Sequence, residues 1–207
     1  MSIMTRRLSL LAIMAILISC GGRPSAEQEA YEEPQLLGES VDGLNAAERG
    51  FLENLARLCG QSFRGEETYM APDRESWSHM DFVMHVVVCE QDRVHIPFHL
   101  DDDHSRTWLF LVEEGQLRFR HDHRYPDGTP EELTLYGGYS DGSGTEFYQS
   151  FPADQYTIDL LTDTLGRQWN IVMDENMTNF SYQLQYMDEI VFQADFDLTN
   201  PIDISGQ

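Results

Sequence analysis

Apolar residues recur along this chain with two different periods, and the changes of period mark its elements. In NAAERGFLENLARLCG, residues 45–60, the positions Ala47, Phe51, Leu55, Leu58 and Cys59 fall at spacings of three and four. That spacing predicts a helix with one apolar stripe, and Gly60 is placed to end it. From residue 62 the period becomes two. Residues 79–91, HMDFVMHVVVCEQ, are apolar on both alternating sets: Phe82, Met84, Val86 and Val88 on one side, Val83, His85, Val87 and Cys89 on the other. Such a strand is packed on both faces, and the N-terminal helix is the expected cover for one of them, which would bring Cys59 to Cys89.

Further strands follow. In residues 93–100 Val94, Ile96, Phe98 and Leu100 alternate with Arg93, His95, Pro97 and His99, and Pro97, lacking a donor, predicts an edge or a strand end. Residues 107–112 and 116–124 flank EEGQ, a hairpin signal. Candidate strands at 131–139 and 145–151 precede a break in the alternation. There PADQYTIDLLTD, residues 152–163, predicts a short helix with Pro152 in its first turn. The C-terminal part returns to clean alternation in residues 168–173, FSYQLQY (180–186) and EIVFQADF (189–196), so one face there is buried and the other wet.

About eight or nine short strands with frequent turns predict an all-β, antiparallel up-and-down β-barrel, with a helix at its N-terminus and one near residues 152–163. At that strand number a closed barrel leaves room for one small ligand.

The start of the chain reads differently. Arg6 and Arg7 precede an apolar run from Leu8 to Ile18, which is too short for a membrane span and has the form of a secretory signal. Leu17-Ile18-Ser19-Cys20 resembles a bacterial lipobox. The resemblance implies cleavage before Cys20 and acylation of that residue, which would anchor the chain firmly to a membrane. The residue after Cys20 is Gly21, not the Asp that retains enteric lipoproteins in the inner membrane, so the outer membrane of a bacterial cell envelope is the expected address. An ordinary signal peptide with an incidental cysteine is the alternative. Residues 20–43, rich in Gly, Pro, Ser and Glu, predict a flexible tether, which leaves 44–207 for the barrel.

Composition sharpens this picture in two ways. The formal charge is -23, and removal of Arg6 and Arg7 with the signal takes it to -25. All 13 basic residues are arginine. So acidic a chain excludes nucleic acid as a partner of the folded part, since phosphate binding needs clustered positive charge; the acidity reads as a solvated surface. With Cys20 acylated, Cys59 and Cys89 remain, and an even pair in an exported protein reads as a disulfide. Two separate buried thiols are the alternative.

Two resemblances bear on function. SFRGEE after a helix and the ending FSYQLQYMDEIVFQADFDL resemble the calycins, the lipocalin, fatty-acid-binding and nitrobindin-like barrels. Nitrobindin-like members hold haem through a histidine near the chain end, but no histidine follows His123 here, so no haem or other cofactor is implied. HIPFH, SRTW, HDHR, DGT, YGG and FPAD, in that order, resemble a group of exported bacterial lipoproteins, which implies export and offers no activity to transfer.

Candidate chemistry concentrates in LRFRHDHRYPDG, residues 117–128. His121 and His123 continue the stripe of Leu117 and Phe119, and would point inward if that stripe is the core. Imidazoles two residues apart on a strand lie roughly 6–7 Å from each other, within reach of one metal ion or one anionic ligand. His95 and His99 form a similar pair, and Arg106 could clamp a carboxylate or pair with the acidic run 101–103. Trp77, Trp108 and Trp169 read as core or barrel-plug residues. Neither GxxxxGK[ST], GxSxG nor HExxH is present. The expectation is a lipid-anchored barrel binding a small molecule in or at its mouth through His121, His123 and Arg106, with His95 and His99 as further candidates. A filled, structural barrel is the alternative, and a metal-dependent enzyme using His121 and His123 ranks third.

Overall fold

The computed structural model describes residues 41–161 and 166–203. The expectations for the signal, Cys20 and most of the tether lie outside the described residues. After a 3-10 turn at Val41–Gly43, the first helix, α1, spans Ala46–Ala56. Asn45 opens it: its side chain accepts from the Glu48 N–H at 3.0 Å, and the Glu48 carboxylate accepts from the Asn45 N–H at 2.9 Å. This reciprocal pair satisfies two donors that a helix start otherwise leaves unpartnered.

Eleven strands follow: β1 Ser62–Met70, β2 Phe82–His85, β3 Val88–Glu90, β4 Arg93–Leu100, β5 Asp103–Glu113, β6 Gln116–His123, β7 Tyr136–Tyr139, β8 Tyr148–Pro152, β9 Arg167–Met173, β10 Asn179–Tyr186 and β11 Glu189–Asp197. A second helix, α2, occupies Gln155–Leu160 between β8 and β9. Sheet order is β7-β6-β5-β4-β2-β1-β11-β10-β9-β8, with β3 also on β4. Every pairing is antiparallel. β2 and β3 therefore share one place in a ten-place meander, and β1 joins β11. The ring is nearly complete at β7 and β8, where Asp141 N–H donates to Ser150 O and Asp154 N–H to Gly137 O, both at 3.1 Å. The fold is thus the expected all-β up-and-down barrel, with more strands than the eight or nine expected.

The seam between β7 and β8 is held from outside by α2. Asp154 caps α2 by accepting from the Thr157 N–H at 2.9 Å. The Thr157 hydroxyl accepts from Gly137 N–H and donates to Gly137 O, both at 2.7 Å. Arg118 of β6 bridges Glu113 at 2.6 Å and Asp154, and lies over the Tyr139 ring at 4.6 Å. Pro152 ends β8 and does not open the helix, which starts later and is shorter than residues 152–163 suggested.

Two local corrections follow from pairing. Residues 79–91 do not form one strand. Met84 pairs with Phe98 and Cys89 pairs with Val94, so the inward phase flips between Val86 and Cys89. Cys89 joins the inward set and Val87 is 55 % exposed. Helix α1 accordingly does not cover the outside of this strand but plugs one end of the barrel: Phe51 is fully buried and meets Phe110 at 5.8 Å and Phe151 at 6.5 Å. Pro97 sits in β4, which has neighbours on both sides, where an edge was expected. It lies opposite the gap between β2 and β3, so its missing N–H falls where that side offers no ladder partner.

Cys59, just beyond α1, is bonded to Cys89 on β3, with their Cα atoms 6.0 Å apart. The bond ties the plug to the wall. Over β1, β10 and β11 the outer face is polar: the Gln183 amide donates to Gln193 at 3.1 Å and Thr68 donates to Asp195 at 2.6 Å. Apolar inside and polar outside is the reverse of a lipid-facing barrel.

Two outcomes are expected. Reducing the disulfide, or Cys59→Ser with Cys89→Ser, lowers stability by about 3–4 kcal/mol through release of a loop of this size, read from urea midpoints with and without reductant. Gly138→Ala lowers it by about 1–3 kcal/mol, because a Cβ there would stand 1.7 Å from Pro152 O across the seam; chemical denaturation of the variant checks this.

Candidate functional site

The end of the barrel opposite α1 is not filled. A cavity of about 440 Å³ lies there, walled by inward side chains of β4 to β7 and β9 to β11 and by the β1–β2 connection. That size falls within the about 300–1,000 Å³ of small-molecule pockets. The described part of the chain begins at the other end, where Gly43 approaches the β5–β6 turn at Gly115.

All three tryptophans of the chain line the cavity. Trp108 and Trp169 are core residues by burial, at 2 % and 1 % exposure, as the sequence suggested, but their rings also form the wall. Trp108 stacks on Phe98 at 4.6 Å and on Tyr182 at 4.9 Å, with interplanar angles of 15° and 7°. Mutual stacking of this kind fixes the rings in place.

His121 does face inward and is buried. Its Nδ1 lies 3.2 Å from the Tyr136 carbonyl oxygen, and a carbonyl can only accept, so Nδ1 carries the proton. Nε2 is then the acceptor, and the Tyr182 hydroxyl donates to it at 2.9 Å. Burial pushes the His121 pKa down to about 3, with His123 adding to the effect. Burial likewise holds the Tyr182 phenol well above its ordinary value. The ring is therefore neutral, oriented and committed at both nitrogens.

His123 also lines the cavity, nearer the rim. Its Nε2 is 3.0 Å from the Tyr136 hydroxyl and its Nδ1 is 4.0 Å from Glu131. Burial, then Arg106, lowers its pKa, while burial raises that of Tyr136 to about 12. The two histidines thus stand on either side of one tyrosine and do not converge on a common point. No group of three or more His, Cys, Asp or Glu suited to a metal ion occurs among the described residues. With both His121 nitrogens occupied, the pair considered as metal ligands is arranged as wall.

Positive charge at the cavity comes from arginine. Arg106 and Arg167 line it, with Arg74 at the exposed edge beside Glu75. Arg106 pairs with Asp103, as its acidic neighbours suggested. Arg167 has no ion-pair partner among the described residues. Both Arg106 and Arg167 line the same cavity as His121, Tyr136 and Tyr182.

His95 and His99 lie elsewhere. The inward residues of β4 are Val94, Ile96, Phe98 and Leu100, so both histidines face outward. His99 accepts or donates at 3.0 Å to His85 and stacks on His104 with ring centres 3.7 Å apart; burial, then His85 and His104, lower its pKa to about 4. Sequence reasoning missed Tyr136, Tyr182 and Arg167. Tyr182 stood in the clean alternation of β10 and could have been assigned to the lumen. Tyr136 follows an irregular stretch, and Arg167 precedes the recognisable part of β9, so neither carried a signal.

Fold and site together define an antiparallel barrel plugged at one end and hollow at the other. No protein-family model and no curated protein matches the chain. Among solved structures it is similar to a redesigned β-barrel, at 9 % identity over 70 % of this chain and 94 % of that one, with a TM-score of 0.31. The assignment here rests on the strand pairing itself.

The His121 environment makes stability depend on pH. The folded pKa of about 3 lies below the ordinary histidine value of 6.5, so between those values the unfolded chain binds a proton that the folded one refuses. Stability is complete above pH 6.5 and falls as pH drops toward 3, by up to about 1.4 kcal/mol per pH unit from this group. Urea midpoints measured from pH 7 to 4 should show this loss, and His121→Gln should reduce its slope without abolishing it, because His99, whose pKa burial lowers to about 4, contributes in the same direction.

Proposed function

We propose that this protein is an exported, lipid-anchored binding barrel that holds a small molecule in its open mouth. The observation that carries the reading is the contrast between its ends: one is packed solid by α1 and tied by a disulfide, and the other keeps about 440 Å³ inside a wall of stacked rings. A barrel serving structure alone gains stability from a filled lumen. Calycin-like carriers are the architectural parallel, an up-and-down meander with one ligand at the mouth. Acylation at Cys20 would keep the barrel at the bacterial envelope, and the resemblance of its flanking residues to a lipobox is what supports that part. His121 acts in this reading as an orienting wall residue and not as a base, since both its nitrogens are engaged.

Native mass spectrometry of protein purified from its own membranes should show a bound small molecule. Leu184→Trp, which fills the lumen from a lining position, should lose it while keeping the fold. A wild-type barrel that is empty and shows no thermal shift across a broad metabolite panel would sink the binding reading. Cys20→Ser should move the protein from the membrane pellet to the soluble fraction.

A further inference from the structure

Resting on that reading, we infer the class of ligand: a planar aromatic monocarboxylate, its charge held at the rim by Arg106 and Arg167 and its ring seated against Trp108, Trp169 and Tyr182. Three features of the cavity converge on it.

The first is sign. The chain carries a formal charge of -23, yet three of its 13 basic residues, Arg74, Arg106 and Arg167, meet at this one cavity against a single lining acid, Glu75. Asp103 pairs with Arg106 and Glu131 lies 4.0 Å from His123, which leaves Arg167 as the half-buried guanidinium of the cavity without an ion-pair partner among the described residues. A guanidinium kept beside a lumen in so acidic a chain favours an anion there, and one unpaired guanidinium favours a monoanion. Two guanidiniums lining one cavity also offer the forked donors that a carboxylate accepts in pairs.

The second is depth. Arg74 is exposed, Arg106 and Arg167 are half-buried, and Trp169, Trp108, His121 and Tyr182 below them are buried. His121, at the floor, is neutral at physiological pH. Charge is thus confined to the rim, and the floor is uncharged. A charged group cannot be buried without a partner, so the ligand must enter with its acid outward.

The third is shape. The floor is made of rings already stacked on one another, Phe98 on Trp108 and Trp108 on Tyr182. Rigid faces and edges match another flat ring, which gains stacking or edge-to-face contact and has few rotors to immobilise. A flexible alkyl chain gains neither advantage here.

The test titrates the full-length protein, by calorimetry and by quenching of its cavity-lining tryptophans, with four probes: 2-naphthoate, 2-naphthalenemethanol, 2-naphthalenemethylamine and decanoate. The expected result is that 2-naphthoate binds at least tenfold more tightly than the other three. Arg167→Gln should weaken 2-naphthoate by about tenfold, the loss of one charge-assisted contact, and leave 2-naphthalenemethanol unchanged. Arg106→Gln should act in the same direction. If the alcohol, the amine or decanoate binds as well as 2-naphthoate, or if both arginine variants bind it normally, the ligand class is wrong while the binding barrel stands. If no probe binds at millimolar concentration and native mass spectrometry also finds an empty lumen, both readings fall.

Discussion

Ten places in a nearly closed antiparallel ring enclose more space than inward side chains can fill. Eight strands leave an interior that side chains just occupy, and each added strand widens it. Everything distinctive here answers to that surplus. At one end the chain inserts a helix, and Phe51 among Phe110 and Phe151 uses up the lumen. At the other the surplus persists as the cavity, bordered by rings that brace one another. The disulfide belongs to the same economy of space, because it fixes the plug to the wall at the point where β2 gives way to β3.

The parts of this arrangement that were legible in the sequence are those where local chemistry and tertiary burial agree. Phe180, Tyr182, Leu184 and Tyr186 alternate with polar residues because one face of β10 is inside and the other meets water, and the pairing with β9 and β11 follows that phase. Asn45, Glu48 and the α1 stripe, like the Glu114–Gly115 turn with its two positive φ angles, carry their instructions within a few residues. Residues 79–91 were misread because both phases are apolar there, so nothing local could show the flip before Cys89. Pro97 was misplaced because its tolerance depends on a break in a neighbouring strand. Inward placement of His121 was legible from the Leu117–Phe119 stripe, but its partners Tyr136 and Tyr182 are 15 and 61 residues away. Cavity charge was the least visible feature, since Arg74, Arg106 and Arg167 sit on three different elements.

Electrostatics separates the rim from the floor. Burial discharges His121 and keeps Tyr136 and Tyr182 protonated, so the groups that look most reactive in sequence are neutral donors and acceptors in place. Guanidiniums, which cannot be discharged in this way, hold the only permanent positive charge that the described cavity residues present. An acidic exterior with a basic mouth focuses attraction on one opening and repels anions from the remaining surface.

The change of phase between Val86 and Cys89 has a consequence for how this chain can vary in length. A segment of constant phase tolerates the loss or gain of two residues, which returns every side chain to its own face. Here the step from Val86 to Cys89 is odd, so an unbroken period at the present length would swing Cys89 out of the barrel, away from Cys59, and only the loss or gain of one residue would let the strand run regularly with Cys89 still inside. The crosslink therefore acts as a ruler: at the present count it holds the irregularity in place and forbids the segment from straightening.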